Sequence, residues 1–228
     1  MLSRQPHLVG PERPTAGPVS LVQGVYGVRG NLELLACDAR DGLWVFWFNA
    51  DLDTDPLETP DVPPGSWSAG LAFAAGHRYV DAQILQSALG PNHLEVLALT
   101  EDGVLQSWFW SPGPGFQRRV TDAATAVARF HATHDEGALF VTVERVDGAR
   151  SHLVSCTSDY PSRGWFEAVD GPGFPEDAAG AVIDAGIASD TVQPGTARSA
   201  SSTRDGGTTE LTWRDASGAI RHLGVPTL

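Results

Sequence analysis

Lysine is absent: all fifteen basic residues of the 228-residue chain are arginine. That excludes Schiff-base and lysine-nucleophile chemistry and the invariant lysine of a phosphate-binding loop. Cysteine is scarce, with only Cys37 and Cys156. Parity permits a disulfide, but two reduced thiols are the expected state in a cytoplasmic protein. The only methionine is Met1, and residues 1–7 hold no apolar core of signal-peptide length. No run approaches the ~18 apolar residues of a membrane span, and no Asn-x-Ser/Thr site occurs. The expectation is therefore a complete, untargeted cytoplasmic chain with no membrane partner. Ala-, Gly-, Pro- and Arg-rich usage without lysine suggests a GC-rich bacterial genome. Positive charge is short as well: 28 acidic against 15 basic residues give a net charge of −13 and a pI near 4.7. Such a surface repels phosphate backbones and argues against nucleic acid as a partner.

A helical period is also missing; what is present is alternation and turns. Residues 32–48 read as an apolar strand, a turn at Asp41-Gly42 and an aromatic-rich strand, which is a β-hairpin. Residues 94–110 repeat it, with the shared pattern Leu-Glu-aliphatic-Leu-Ala, then Asp-Gly, then Trp-Phe. Gln23 and Gln86 are 63 positions apart, Glu33 and Glu95 are 62, and Trp47 and Trp108 are 61. Asp147-Gly148 turns a third, more diverged hairpin, and Asp215 to Gly218 a fourth. Residues 181–187 read as the first strand of the fourth unit, and residues 189–207, rich in Ser, Thr and Gly, as a loop or weak strands.

Four-stranded units of this length cannot bury both faces alone, and radial stacking lets each cover its neighbour. The chain is expected to be all-β: a single β-propeller domain over residues 1–228, of four to five four-stranded blades. The units fall at roughly 18–75, 79–121, 125–170 and 178–225. The last hairpin lacks an outer strand, and Leu8-Val9 could supply it and close the ring. A two-sheet sandwich with duplicated halves is the rival architecture.

At Leu32, Leu34, Asp41-Gly42, Leu43 and Trp47, and again at Leu94, Val96, Asp102-Gly103, Val104 and Trp108, the sequence resembles the fucose-specific and related bacterial lectin propellers. The outer-strand tryptophan of such repeats matches Trp67 and Trp165, with Phe116 in the second unit. The resemblance implies a propeller whose relatives bind sugars between blades through aromatic rings and an Arg or Glu.

Candidate site residues fall into two groups. Trp44 and Trp110 are not matched between the repeats, so they are candidates for stacking on a flat ligand, whereas Trp47 and Trp108 recur and read as inter-blade packing. Arg29, His77 and Arg78 lie in turns where they could hold polar groups of that ligand. Gln23, Gln86 and His131, with Asp184 near the equivalent place in the fourth unit, are expected to gather on the propeller axis. There they could bind a small polar ligand, act by acid–base chemistry, or hold trapped water. Asp51, Asp53 and Asp55 resemble the start of a calcium loop, but Pro56 and Val62 stand where Gly and Glu are needed. His131 and His134, three apart on a strand, point to opposite faces. No metal and no cofactor is therefore expected, and no Gly-x-Ser-x-Gly, His-Glu-x-x-His or dinucleotide fingerprint occurs.

The favoured reading is a non-catalytic propeller that binds a carbohydrate or another small polar molecule. The alternative is a small cytoplasmic enzyme, of the kind used in bacterial secondary metabolism, with His131 and Asp184 as acid–base groups. A protein-interaction scaffold is a third possibility.

Overall fold

The computed structural model describes residues 2–26, 29–50, 62–90, 92–156 and 164–227. The acidic triplet Asp51, Asp53 and Asp55 and the turn residue Gly27 lie outside them. The described residues form a β-propeller of four antiparallel four-stranded sheets. Blade I comprises β2 (Thr15–Gln23), β3 (Leu32–Asp38), β4 (Leu43–Phe48) and β5 (Leu71–Phe73). Blade II comprises β6 (Tyr79–Gln86), β7 (Leu94–Thr100), β8 (Leu105–Ser111) and β9 (Gly115–Arg118). Blade III comprises β10 (Val127–Asp135), β11 (Ala138–Arg145), β12 (Arg150–Cys156) and β13 (Phe166–Ala168). Blade IV is built from both chain ends: β14 (Arg198–Ser202), β15 (Thr208–Arg214) and β16 (Ile220–Pro226), with β1 (His7–Val9) as its outer strand. The N-terminal strand thus completes the fourth blade, with His7 opposite His222 and Val9 opposite Ile220.

Local sequence explains the repetition. Gly42, Gly103, Gly148 and Gly218 all take positive φ, between 81° and 88°. Each sits in the turn between the second and third strands, where a side chain would be strained. The inner strands of blades I, II and III each carry a register shift near their start, at Ala16/Val19, Tyr79/Asp81 and Val127/Arg129. Such bulges raise the local twist and bend the strand.

Neighbouring blades pack through their inner strands in the order IV–I–II–III, with β14 on β2, β2 on β6 and β6 on β10. Apolar clusters fill the three interfaces. Val9, Val19, Leu34, Phe46 and Ile220 lie between IV and I. Leu35, Val45, Ile84 and Val96 lie between I and II, and Leu97, Leu105, Leu139 and Val141 between II and III. The remaining face of blade IV is covered by a short helix, α1 (Ala179–Asp184), whose Val182 packs on Leu211, Trp213 and Leu223.

That helix corrects the reading of residues 181–187 as an inner strand. The stretch is alanine-rich, which favours helix. It ends in a glycine cap: Gly186 has φ 91°, its N–H donates to Ile183 O, and Ile187 N–H donates to Val182 O. The inner strand of blade IV is instead β14, inside the polar 189–207 stretch. Both cysteines are free thiols. No helix among the described residues is long and apolar enough to cross a membrane.

Phe46 is fully buried at the centre of the IV–I core. Phe46→Ala is expected to destabilise the fold by roughly 3–5 kcal/mol, read as a lowered denaturant midpoint with an unchanged slope. A loss below about 1 kcal/mol would contradict the placement of Phe46 in a close-packed interface.

Candidate functional site

The strand register places one glutamate at the same point of three blades. Glu33, Glu95 and Glu210 are all buried, and each faces the neighbouring blade. In blade II the hydroxyl of Ser87 donates to Glu95 Oε1 at 2.9 Å, and in blade IV that of Ser202 donates to Glu210 Oε1 at 2.5 Å. Gly24 stands at the equivalent place in blade I.

Around Glu210 this repeated feature becomes a site. Arg204 forms a two-pronged pair with it, Nε to Oε1 at 2.7 Å and Nη2 to Oε2 at 2.8 Å. On the same carboxylate, His222 Nε2 lies 2.8 Å from Oε2. Burial alone would raise the Glu210 carboxyl, but the bonds from His222, Arg204 and Ser202 hold it down near 2. Burial lowers His222 more than Glu210 raises it, so the imidazole stays neutral and donates its Nε2–H. Aromatic rings wall the network. His222 is stacked on His7 at 5.9 Å and meets Trp67 edge-on at 5.2 Å. Phe48 lies 5.4 Å from Trp67 and 5.5 Å from His7, and the Arg204 guanidinium sits 5.0 Å from its centroid.

The network opens onto a cleft of about 270 Å³ at the end of the IV–I interface, lined by His7, Arg29, Phe48, Asn49, Arg204 and Asp205 among others. Arg204 and Asp205 sit in a tight turn held by Thr208 Oγ1–H donating to Arg204 O at 2.6 Å, and Asp205 has a left-handed φ of 46°. Gln23 fastens this turn to blade I. Its Oε1 accepts from Thr203 N–H at 2.8 Å, and its Nε2 donates to Thr203 Oγ1 and to Arg29 O, both at 2.9 Å.

Of the residues singled out in the sequence, the structure thus brings Gln23 and Arg29 to this cleft. Gln86 makes the corresponding link one blade on, accepting from Val25 N–H at 3.0 Å and donating to Ser87 O, Gly90 O and His93 O. His131 does not share their position. The register aligns His134 with Gln23 and Gln86, and His131 with Ser20 and Gln83. Ser20 and Gln83 bond to the next blade, Ser20 Oγ accepting from Ile84 N–H and Gln83 bridging Ala132 N–H and O. His131 is half-buried on the outer face of blade III, opposite Thr142. Asp184 ends α1, exposed, against blade IV. No hydrogen bond joins it to His131 among the described residues.

Trp44 is held in place by its neighbours: Nε1 donates to Asp38 Oδ2 at 2.6 Å, Phe46 stacks at 6.2 Å, and Arg13 caps the ring at 4.5 Å. Trp110 pairs with Leu94 and occupies in blade II the position of Phe48 in blade I. His77 is exposed near Tyr79, and Arg78 makes a solvent-exposed ion pair with Glu101 at 3.5 Å. Neither His77 nor Arg78 lines the cleft. The register also shifts one landmark: Trp47 lies opposite Glu33 and Phe109 opposite Glu95, so Trp47 matches Phe109 and Trp108 matches Phe46. Sequence reading missed Arg204, Glu210, His222 and His7. The signal for one of them, Glu210, was the Ser-x₇-Glu spacing shared by Ser87/Glu95 and Ser202/Glu210.

No family model matches the chain, and no curated protein matches it. Solved structures to which it is similar are lectins. The BP39L lectin of Burkholderia pseudomallei is 15% identical over 92% of this chain and 52% of its own, with a TM-score of 0.46. AofleA of Arthrobotrys oligospora is 12% identical over 98% of this chain and 57% of its own, at 0.47. A variant of the Aleuria aurantia lectin in complex with α-methyl-L-fucoside is 10% identical over 92% and 61%, at 0.43. The chain spans only about half to three-fifths of these lectins' length.

The glutamates make opposite pH predictions. Glu210, held well below its ordinary 4.5, stabilises the fold above that pH and loses this contribution as pH falls towards about 2. Glu33, pushed up to about 8 by burial, is protonated in the fold, so its contribution is complete below 4.5 and is lost as pH rises through 8. Glu33→Gln should therefore raise the melting temperature relative to the parent at pH 8.5 and have little effect at pH 4. An equal shift at both pH values would contradict the buried neutral acid.

Proposed function

We propose that the chain binds a small, neutral, polyhydroxylated ligand of the carbohydrate type in the cleft between blades IV and I. The observation that carries this reading is the Arg204–Glu210 pair at the foot of that cleft, flanked by the rings of Phe48 and His7. Arg204 commits Nε and Nη2 to Glu210, so Nη1 is the nitrogen left for a ligand oxygen. Its positive charge is already balanced by Glu210, which favours a hydroxyl over a phosphate. The planar fork is pre-organised, so little further ordering is needed when a ligand arrives. The half-buried His7 ring, backed edge-on by the buried Phe48, offers a flat surface for the C–H face of a sugar. The volume is near the lower end for small-molecule sites, which suits a monosaccharide.

The cleft holds donors, an acceptor pair and rings; His7 in its lining stacks on His222, which is fully buried behind it and bonded to Glu210. The reading is accordingly of recognition rather than turnover.

Isothermal calorimetry against the methyl glycosides of L-fucose, D-mannose, D-galactose and D-glucose tests it. At least one should bind, and Arg204→Lys, which keeps a cation beside Glu210 but loses the fork, should weaken binding tenfold or more, about 1.4 kcal/mol. Silence of the parent at millimolar sugar, or an unchanged affinity in the folded variant, would sink the reading.

A further inference from the structure

The three repeated glutamates differ in what stands opposite them on the next strand. Glu33 faces Trp47, Glu95 faces Phe109, and Glu210 faces Gly224. Directly paired residues project from the same face of the sheet, with Cβ atoms about 5 Å apart. The aromatic rings of Trp47 and Phe109 therefore lie against their glutamates. At Gly224 the space is taken by Arg204. A Cβ there would overlap the guanidinium and come within 2.9 Å of Glu210 Oε2.

The arginine follows the same logic. Two positions beyond the inner strand's Ser202 stands Arg204; the equivalent residues after Gly24 and Ser87 are Tyr26 and Leu89. At the I–II interface no ion pair reaches Glu33 among the described residues, and burial pushes its carboxyl up to about 8. The II–III interface does hold an arginine, but a sealed one. Arg119 is 1% exposed, donates from Nη2 to Ser155 Oγ at 2.7 Å, and lies 5.1 Å from the Trp165 centroid. Glu95, which faces the same interface, is wholly buried.

We infer that each chain carries one ligand-competent interface, IV–I, and that the residue opposite the buried glutamate decides this: glycine opens the position and an aromatic ring closes it. The inference rests on the binding reading above and adds to it a valency and a determinant. A protein with one site per chain can capture or sense a glycan but cannot cross-link two of them without self-association.

Calorimetry with the methyl glycoside that binds gives the stoichiometry directly, and circular dichroism confirms that each variant is folded. The expected result is one site per chain, lost at least tenfold in Gly224→Ala and retained in Phe109→Leu and Trp47→Phe. Two or three sites per chain, or a folded Phe109→Leu or Trp47→Phe that no longer binds, would overturn this inference while leaving sugar binding intact. Unchanged affinity in folded Gly224→Ala would overturn the role of the glycine in the same way. Silence of the parent across the whole panel would remove the binding reading and the single site together.

Discussion

The antiparallel pairing of β1 with β16 is the constraint on which the rest depends. It is only three residues long, yet it joins the two ends of the chain in one blade. Val9 carries the N-terminus into the IV–I core, beside Val19, Phe46 and Ile220. His7, two residues earlier and on the same face, is thereby set against His222 and Phe48. Arg214 adds a second clasp between the ends, donating from Nε to Gly17 O at 2.6 Å and from Nη1 to Thr15 Oγ1 at 3.0 Å. The cleft is therefore a product of the joining of the chain's two ends in one blade. Its walls come from residues 7, 48 and 204, which are remote in sequence and meet only when blade IV docks on blade I.

A repeat architecture lets one position be tried in several contexts. The glutamate facing the next blade is carried by blades I, II and IV, and in blade III Phe140 takes its place. A buried carboxylate is costly unless it is paired and hydrogen-bonded. Each blade meets that cost differently. Glu210 recruits Arg204, Ser202 and a neutral histidine and stays ionised; Glu33 gives up its charge. The same residue type at the same register is a charged anchor in one interface and an uncharged filler in another, because Arg204, the cation that keeps Glu210 charged, lies in a connecting turn, a place that is free to vary.

Much of the architecture was legible in the sequence. Asp-Gly turns between alternating strands fixed the hairpins, and the missing outer strand of the last unit pointed to residues 8 and 9, where β1 is found. What was not legible follows from physical degeneracy. Matching Trp47 with Trp108 gave an offset of 61, one short of the glutamate offset, and in a strand a one-residue slip moves every side chain to the other face. Residues 181–187 are apolar on both strand and helix templates, so only the glycine stop separated the two. Arg204 was hidden because β14 is polar: as an inner strand beside a half-open surface it shows no apolar alternation. The axial grouping of His131 with Asp184 depended on that misplaced strand.

An open stack of blades also has to end. The face of blade III that would meet a further blade carries the row Arg129, Glu144 and Arg150, joined by hydrogen bonds of 2.7 to 3.1 Å, with Phe174 lying on both guanidiniums. Gly171 passes so close to His152 and Thr142 that a Cβ there would come within 2.7 Å of each. Blade IV's free face is covered by α1 and Ala178 to Val192. One connecting segment, between β13 and β14, thus covers both terminal faces, as capping repeats do in linear arrays. At the blade III end the stack presents charge to solvent, and at the blade IV end a helix buries the apolar face of Leu211, Trp213 and Leu223. The charged network of Arg204, Glu210 and His222 at one end of the IV–I core, opening onto a cleft, is then what sets that interface apart, and departures from a repeated apolar rule are where function is to be sought.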